Sequence, residues 1–244
     1  MNVLGDLVSR DRRSDTPALL APANGREYDY RRFCTTAWKV SSLFRHFGVR
    51  NGSIVALADD PRPEPILSFL GTALLGGIAR FTPRDVELEA RALVTPIERS
   101  HEYDLPPGSK QIVYGGPPDD PHTAYFEQDV WSENPTEPPD RVESEQPVLC
   151  EETTHTHTDL LDTAQSVVDE WNLTADDRVA VRTSLREPAT IAAGIIAPLL
   201  VGGTTLLPAH DGENEIVGDY AVVTGNGHDH EPETQLIALQ AIEC

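Results

Sequence analysis

The stretch Gln146–Leu161, QPVLCEETTHTHTDLL, joins an apolar run to the start of a helix through a turn of acids, threonines and histidines. Pro147, Val148, Leu149 and Cys150 read as a short strand. Beyond the turn, Leu160, Leu161, Ala164, Val167, Val168 and Trp171 recur at helical spacing, and Thr158 or Asp159 is placed to cap the first free N–H groups. A strand, a Ser/Thr-bearing turn and a helix N-terminus form the layout on which nucleotide phosphate loops are built. Such loops need glycine, because a Cβ keeps backbone N–H groups away from phosphate oxygens. No glycine occurs between Gly116 and Gly194, and no lysine lies in that interval. Glu151 and Glu152 stand where positive charge would be needed. The layout predicts an α/β fold, and the turn predicts no phosphate site.

On the C-terminal side, strand and helix alternate. Arg178–Thr183 reads as a strand, Pro188 opens a helix over Ala189–Leu200 that Gly202-Gly203 ends, and Thr204–Leu207 is again a strand. Asp211–Glu215 is an acidic loop, Tyr220–Val223 a short strand, and Thr234–Ile242 a C-terminal helix. On the N-terminal side, Pro17–Leu20 and Arg26–Tyr30 flank the turn signal Pro22-Ala-Asn-Gly25 and read as a hairpin. Phe33, Ala37, Val40, Phe44 and Phe47 form one helical stripe, stopped by Gly48. Ser53–Ala58 and Ile78–Thr82 are apolar strands around a helix over Ile66–Leu75. Val86–Ala92 reads as one more short helix, and Leu93–Thr95 and Gln111–Tyr114 as strands. Near-continuous apolar strands between helices predict a mostly parallel sheet flanked by helices.

The segment Gly115–Pro147 carries seven prolines and nine acids with few aliphatics, too polar to build a core. It divides the chain into an α/β subdomain over 1–114, a linker over 115–147 and a second α/β subdomain over 148–244. Tyr125, Phe126, Val130 and Trp131 are its expected anchors to the body.

Forty acids against nineteen bases give a formal net charge of −21. That balance excludes nucleic acid and anionic membrane surfaces as partners. Lys39 and Lys110 are the only lysines, and abundant carboxylate with scarce lysine fits a protein of a high-salt cytoplasm, where screening limits self-repulsion. Cys34, Cys150 and Cys244 are too widely spaced for a disulfide framework or a paired metal site. The first residues lack an apolar signal region, and no run approaches a membrane span, so a cytoplasmic location is expected.

Two groups of residues together resemble the acyl-adenylate-forming superfamily of acyl-CoA synthetases, luciferases and adenylation domains. The first is Arg26-Glu-Tyr-Asp-Tyr30, the turn Gly48-Val-Arg-Asn-Gly-Ser-Ile-Val55 and Leu75-Gly-Gly77. The second is His155-Thr-His157-Thr-Asp-Leu-Leu161, Leu173-Thr-Ala-Asp-Asp-Arg-Val179 and Pro198-Leu-Leu-Val-Gly-Gly203. The resemblance implies a shortened version of that family's large N-terminal domain. It places Thr153, Thr154 and His157 at a vestigial nucleotide site, where the family's glycine-rich loop ending in lysine is replaced by Glu151-Glu152-Thr153-Thr154. It also implies that the adenine, ribose and magnesium sites and the catalytic lysine fall beyond residue 244.

The expected function is therefore a non-catalytic synthetase-like protein that binds an acyl ligand or a protein partner, with no catalytic residue and no cofactor. One alternative is half of a split ligase completed in trans, which alone would call for ATP and magnesium. Another is a metal module built from His155, His157, His228 and His230 with Cys150. Ser41 and Ser184 lack the elbow and partners of a nucleophile. Asp59-Asp60 reads as solvated loop acids at a strand end, the alternative being a ligand-binding pair, and Arg10, Arg12 and Arg13 as a surface patch or local salt-bridge partners. An open sheet edge points to a homodimer.

Overall fold

The computed structural model describes residues 1–82, 89–208, 216–225 and 232–242. His228, His230 and Cys244, the acidic loop at 211–215 and residues 86–88 of the helix expected over Val86–Ala92 lie outside that set. The described remainder of that helix does not form, since 89–91 are irregular and Ala92 opens a strand.

The N-terminal hairpin pairs β1 (Pro17–Ala21) antiparallel with β2 (Arg26–Asp29), and Gly25 closes its turn at φ 59°. Asp29 accepts the Arg32 N–H at 2.6 Å and so caps α1 (Tyr30–His46), which buries Phe33, Ala37, Trp38, Val40 and Phe44. Next come β3 (Ile54–Ala58), α2 (Pro63–Ala73), which is buried on every side, β4 (Ile78–Thr82), β5 (Ala92–Pro96) and β6 (Lys110–Tyr114). The proline-rich segment is not featureless. It carries β7 (Ala124–Tyr125) and α3 (Phe126–Ser132), with Phe126 and Val130 buried as anchors, whereas Trp131 stays 78% exposed.

The opening stretch folds as a second hairpin, β8 (Pro147–Cys150) with β9 (Thr154–Thr156), running straight into α4 (His157–Trp171). The cap is Thr156, not Thr158 or Asp159. Its side chain accepts the Asp159 N–H at 3.1 Å, and the Asp159 carboxylate returns the bond from the Thr156 N–H at 2.8 Å, a reciprocal capping box. After β10 (Arg178–Val181) a helical run passes through α5 (Pro188–Thr190), a π-helical turn (Ile191–Ile196) and α6 (Ala197–Val201). Pro198 has no N–H to give the Gly194 carbonyl four residues earlier, and the widened turn lets the Thr205 hydroxyl donate there instead, at 3.1 Å. A Cβ on Gly194 would lie 2.8 Å from Val181 Cγ2, so glycine also permits this helix to sit against β10. The chain closes with β11 (Thr204–Leu206), β12 (Tyr220–Val223) and β13 (Gln235–Ala238). The last is a strand where a helix was expected, paired in parallel along its four residues with β12.

The strands form two sheets, ordered β13-β12-β10-β11-β1-β2 and β7-β6-β5-β3-β4-β8-β9. Each is parallel throughout except for the one hairpin at its edge, which matches the expected parallel α/β class. Neither sheet is confined to one half of the chain. The N-terminal hairpin completes the sheet of the C-terminal strands, and the hairpin after the proline-rich segment completes the other. Alternate strand residues enter one continuous core that also takes in α1, α2 and α4. Leu93 and Ala56, and separately Ala180, Leu206 and Ala221, fill smaller clusters on the opposite sheet faces. No helix among the described residues is long and apolar enough to cross a membrane.

Candidate functional site

In open parallel sheets, ligands bind beyond the C-terminal ends of the strands. Here those ends bring together Asp59 after β3, Phe81 in β4, Glu151 after β8 and Ser184 after β10. A cleft of about 690 Å³ opens beside them, lined by Arg80, Glu151, Thr153, His155, Arg186 and Glu187 among others.

The β8–β9 turn forms one wall. Glu151 N–H donates to the Thr153 carbonyl at 3.0 Å, closing the turn on itself without any glycine. The Glu151 carboxylate accepts the Phe81 N–H at 2.5 Å. Burial pushes that carboxyl up to about 7, against the opposing pull of the Phe81 N–H, Arg186 and Arg80, with Asp59 adding to the rise. A carboxylate therefore occupies the backbone donor that an incoming anion would need. Glu152 and Glu187 add further acid to the cleft, and Arg80 and Arg186 bring opposing positive charge. Arg80 was not singled out from the sequence. Its signal was a lone charge inside the apolar strand IARFT.

The sequence-chosen residues go to different places. Thr153 lines the cleft and its hydroxyl is 2.8 Å from His155 Nε2. Thr154 is exposed and its hydroxyl reaches Cys150 Sγ at 3.5 Å. His157 does not line the cleft. It is fully buried, its Nδ1 accepts the Leu4 N–H at 3.1 Å, and burial lowers it to about 4, so the ring is neutral and ties the N-terminal turn to α4. Its Nε2 is buried without a partner. Among the described residues, no three His, Cys, Asp or Glu side chains come together as metal ligands.

Asp59 and Asp60 are not solvated loop acids. Asp59 accepts the Ser184 hydroxyl at 2.7 Å and the Leu185 N–H at 2.9 Å, binding the end of β3 in one sheet to the loop after β10 in the other. Asp60 accepts the Tyr114 hydroxyl at 2.7 Å. Ser184 is thereby held by an acid with no histidine, and the Ser41 hydroxyl is buried against the Trp38 carbonyl, so neither is set up as a nucleophile. Arg12 donates to the Leu199 and Leu200 carbonyls at the end of α6, and pairs with no acid among the described residues. Cys34 is buried and pushed up to about 11, an inert thiol.

No family model matches the chain, and no curated protein matches it. Solved structures do. Anthranilate CoA ligase AuaEII, in complex with anthranoyl-AMP, superposes with a TM-score of 0.77 over 91% of this chain, at 20% identity. The fold is that of the AMP-binding acyl-CoA ligases. A benzoate CoA ligase from Burkholderia xenovorans LB400 gives a TM-score of 0.74 over 92% of the chain at 17% identity, and the nonribosomal peptide synthetase FmoA3 gives 0.70 over 84% at 19%. The chain covers 49% and 50% of the two CoA ligases and so spans about half their length.

Proposed function

We propose that this protein is a non-adenylating relative of the acyl-CoA ligases, one that keeps the fold of their N-terminal region and acts by binding instead of by activating a carboxylate with ATP. The observation that carries this reading is the β8–β9 turn: glycine-free, closed by the Glu151–Thr153 backbone bond, and with the Glu151 carboxylate seated on the Phe81 N–H. Adenylation concentrates negative charge on the α-phosphate, and its transition state needs cations and free N–H donors aimed at those oxygens. A turn that supplies a carboxylate to the nearest donor opposes that charge. Arg80 and Arg186 face Glu151, Glu152 and Glu187 in the same cleft, so their positive charge is already offset.

The test is ATP–pyrophosphate exchange with a panel of aliphatic and aromatic acids, in KCl at a concentration where circular dichroism shows the protein folded. The expected outcome is exchange no faster than a protein-free control for every acid. Acid-dependent exchange above that control would defeat the reading. Exchange that arises only when a second polypeptide is added would instead assign the chain to a ligase completed in trans.

A further inference from the structure

A second cavity, of about 500 Å³, lies between α1, α3 and the edge strand β2, and shares no lining residue with the β8–β9 cleft. In a chain with forty acids and only nineteen bases, five bases face this one groove: Arg13, Arg26, Arg31, Arg32 and Lys39. Two of them are engaged with acids. Arg31 pairs with Asp15 at 2.9 Å, and Arg26 lies 3.8 Å from Glu64 and 3.5 Å from Glu127.

The other three pair with no carboxylate among the described residues, and each rests on an aromatic ring. Arg13 lies 5.6 Å from the Trp38 ring, Arg32 4.7 Å from Tyr28 and Lys39 5.0 Å from Trp131. Arg13 Nε is buried and has no hydrogen-bond partner, a donor withheld from water with nothing to receive it. The groove's own acids have other duties. Asp29 caps α1, and Glu127 accepts the Gly115 N–H at 2.8 Å, leaving its buried Oε2 as one spare acceptor. The groove's lining thus carries five bases against two acids, in a chain that is otherwise strongly negative. One wall is apolar, formed by Phe126, Val130 and Trp131 of α3, and Trp131 is the most exposed large apolar side chain described, at 78%.

We propose that this groove binds a small organic anion, with its acidic head among Arg13, Arg32 and Lys39 and its apolar body along Phe126, Val130 and Trp131. Guanidinium forks and an ammonium donate hydrogen bonds to carboxylate or phosphate oxygens. The apolar wall favours an organic anion over an inorganic one, because it buries carbon. The volume falls in the range of small-ligand sites and not of extended docking faces. This site goes beyond the nucleotide reading above and stands or falls independently of it.

The test is calorimetric titration with 2-naphthoate, 2-naphthyl phosphate and the neutral 2-naphthalenemethanol, at the lowest KCl at which the fold is intact, so that screening does not hide the charge. The expected result is one-to-one binding of at least one anion, at least tenfold tighter than the alcohol, with a change in tryptophan emission that Trp131→Phe abolishes. The tighter of the two anions identifies the head group. Arg13→Gln weakens binding at least tenfold, and Lys39→Gln, on an accessible face of α1, supplies a second variant should Arg13→Gln misfold. Equal affinity for alcohol and anions, binding unchanged in both variants, or binding of an acidic peptide but of no small anion would each overturn the proposal.

Discussion

Replacing Glu151 with glutamine isolates the electrostatic cost of the carboxylate at the β8–β9 turn. Glutamine keeps an oxygen to accept the Phe81 N–H, which lies at 2.5 Å in the native protein, and removes only the charge. Burial raises the carboxyl from its ordinary 4.5 to about 7. At about 1.4 kcal/mol per pH unit, that displacement sets a ceiling of about 3 kcal/mol. The side chain is only partly buried, and solvent screening brings the expected effect down to about 1–2 kcal/mol. The sign follows from linkage. With the folded pKa above the unfolded one, the folded state holds the extra proton between pH 4.5 and 7, so native stability falls as pH rises through that window and levels off above it. Glu151→Gln should therefore match the native protein near pH 4.5 and exceed it by about 1–2 kcal/mol at pH 8. Urea unfolding followed by circular dichroism, at fixed KCl and several pH values, reads this difference directly, and groups common to both proteins cancel. A constant offset at every pH, or one that grows towards acid, would show that burial of the Glu151 carboxyl does not outweigh its N–H and arginine partners as described here.

Two further perturbations probe the scaffold of the site. His157→Asn retains an acceptor for the Leu4 N–H but removes the imidazole that burial lowers from 6.5 to about 4. The unfolded state takes up that proton first, so native stability is lost as pH falls from 6.5 towards 4, and the variant should show a shallower acid slope in the same urea series. In Gly71→Ala the new Cβ would sit 2.7 Å from Val40 Cγ1 and 3.2 Å from the Ser41 backbone nitrogen, forcing α2 away from α1. The expected cost is about 1–3 kcal/mol. Val40→Ala in the same background should recover part of it, and strictly additive losses in that double-mutant cycle would count against the contact.

Local pattern carried most of the fold. The stripe from Phe33 to Phe44 and the apolar runs Ile54–Ala58 and Ile78–Thr82 became the elements they predicted, and Gly48, Gly76 and Gly202 follow the ends of α1, α2 and α6. What local pattern could not carry was pairing. Gln235–Ala238 fits a helical period as well as a strand, and the parallel register with Tyr220–Val223 decides it. The sequence likewise gave no sign that the N-terminal hairpin would join the C-terminal sheet, since Leu19 meets Thr205 across most of the chain. For the start of α4 the sequence pointed to Thr158 or Asp159, and only the reciprocal Thr156–Asp159 geometry shows that Thr156 is the cap. At the cleft, the acids and the missing glycines were legible at once. That Glu151 would take the Phe81 N–H, and that Asp59 would hold the loop after β10, depends on contacts between residues 70 and 126 positions apart. No spacing rule reaches so far. The anion groove escaped for the same reason, because its bases come from the N-terminal loop, β2 and α1 and its apolar wall from the proline-rich segment.

The most direct measurement of the central claim is calorimetric titration of the folded protein with magnesium–ATP, under the KCl conditions of the exchange assay. A glycine-free turn whose nearest N–H is already taken by Glu151 should give no detectable binding heat at millimolar nucleotide, and Glu151→Gln should not restore it, because the closed turn still lacks donors. Micromolar binding by the native protein, with one nucleotide per chain, would mean that the β8–β9 turn forms a working phosphate site and that the non-adenylating account is wrong.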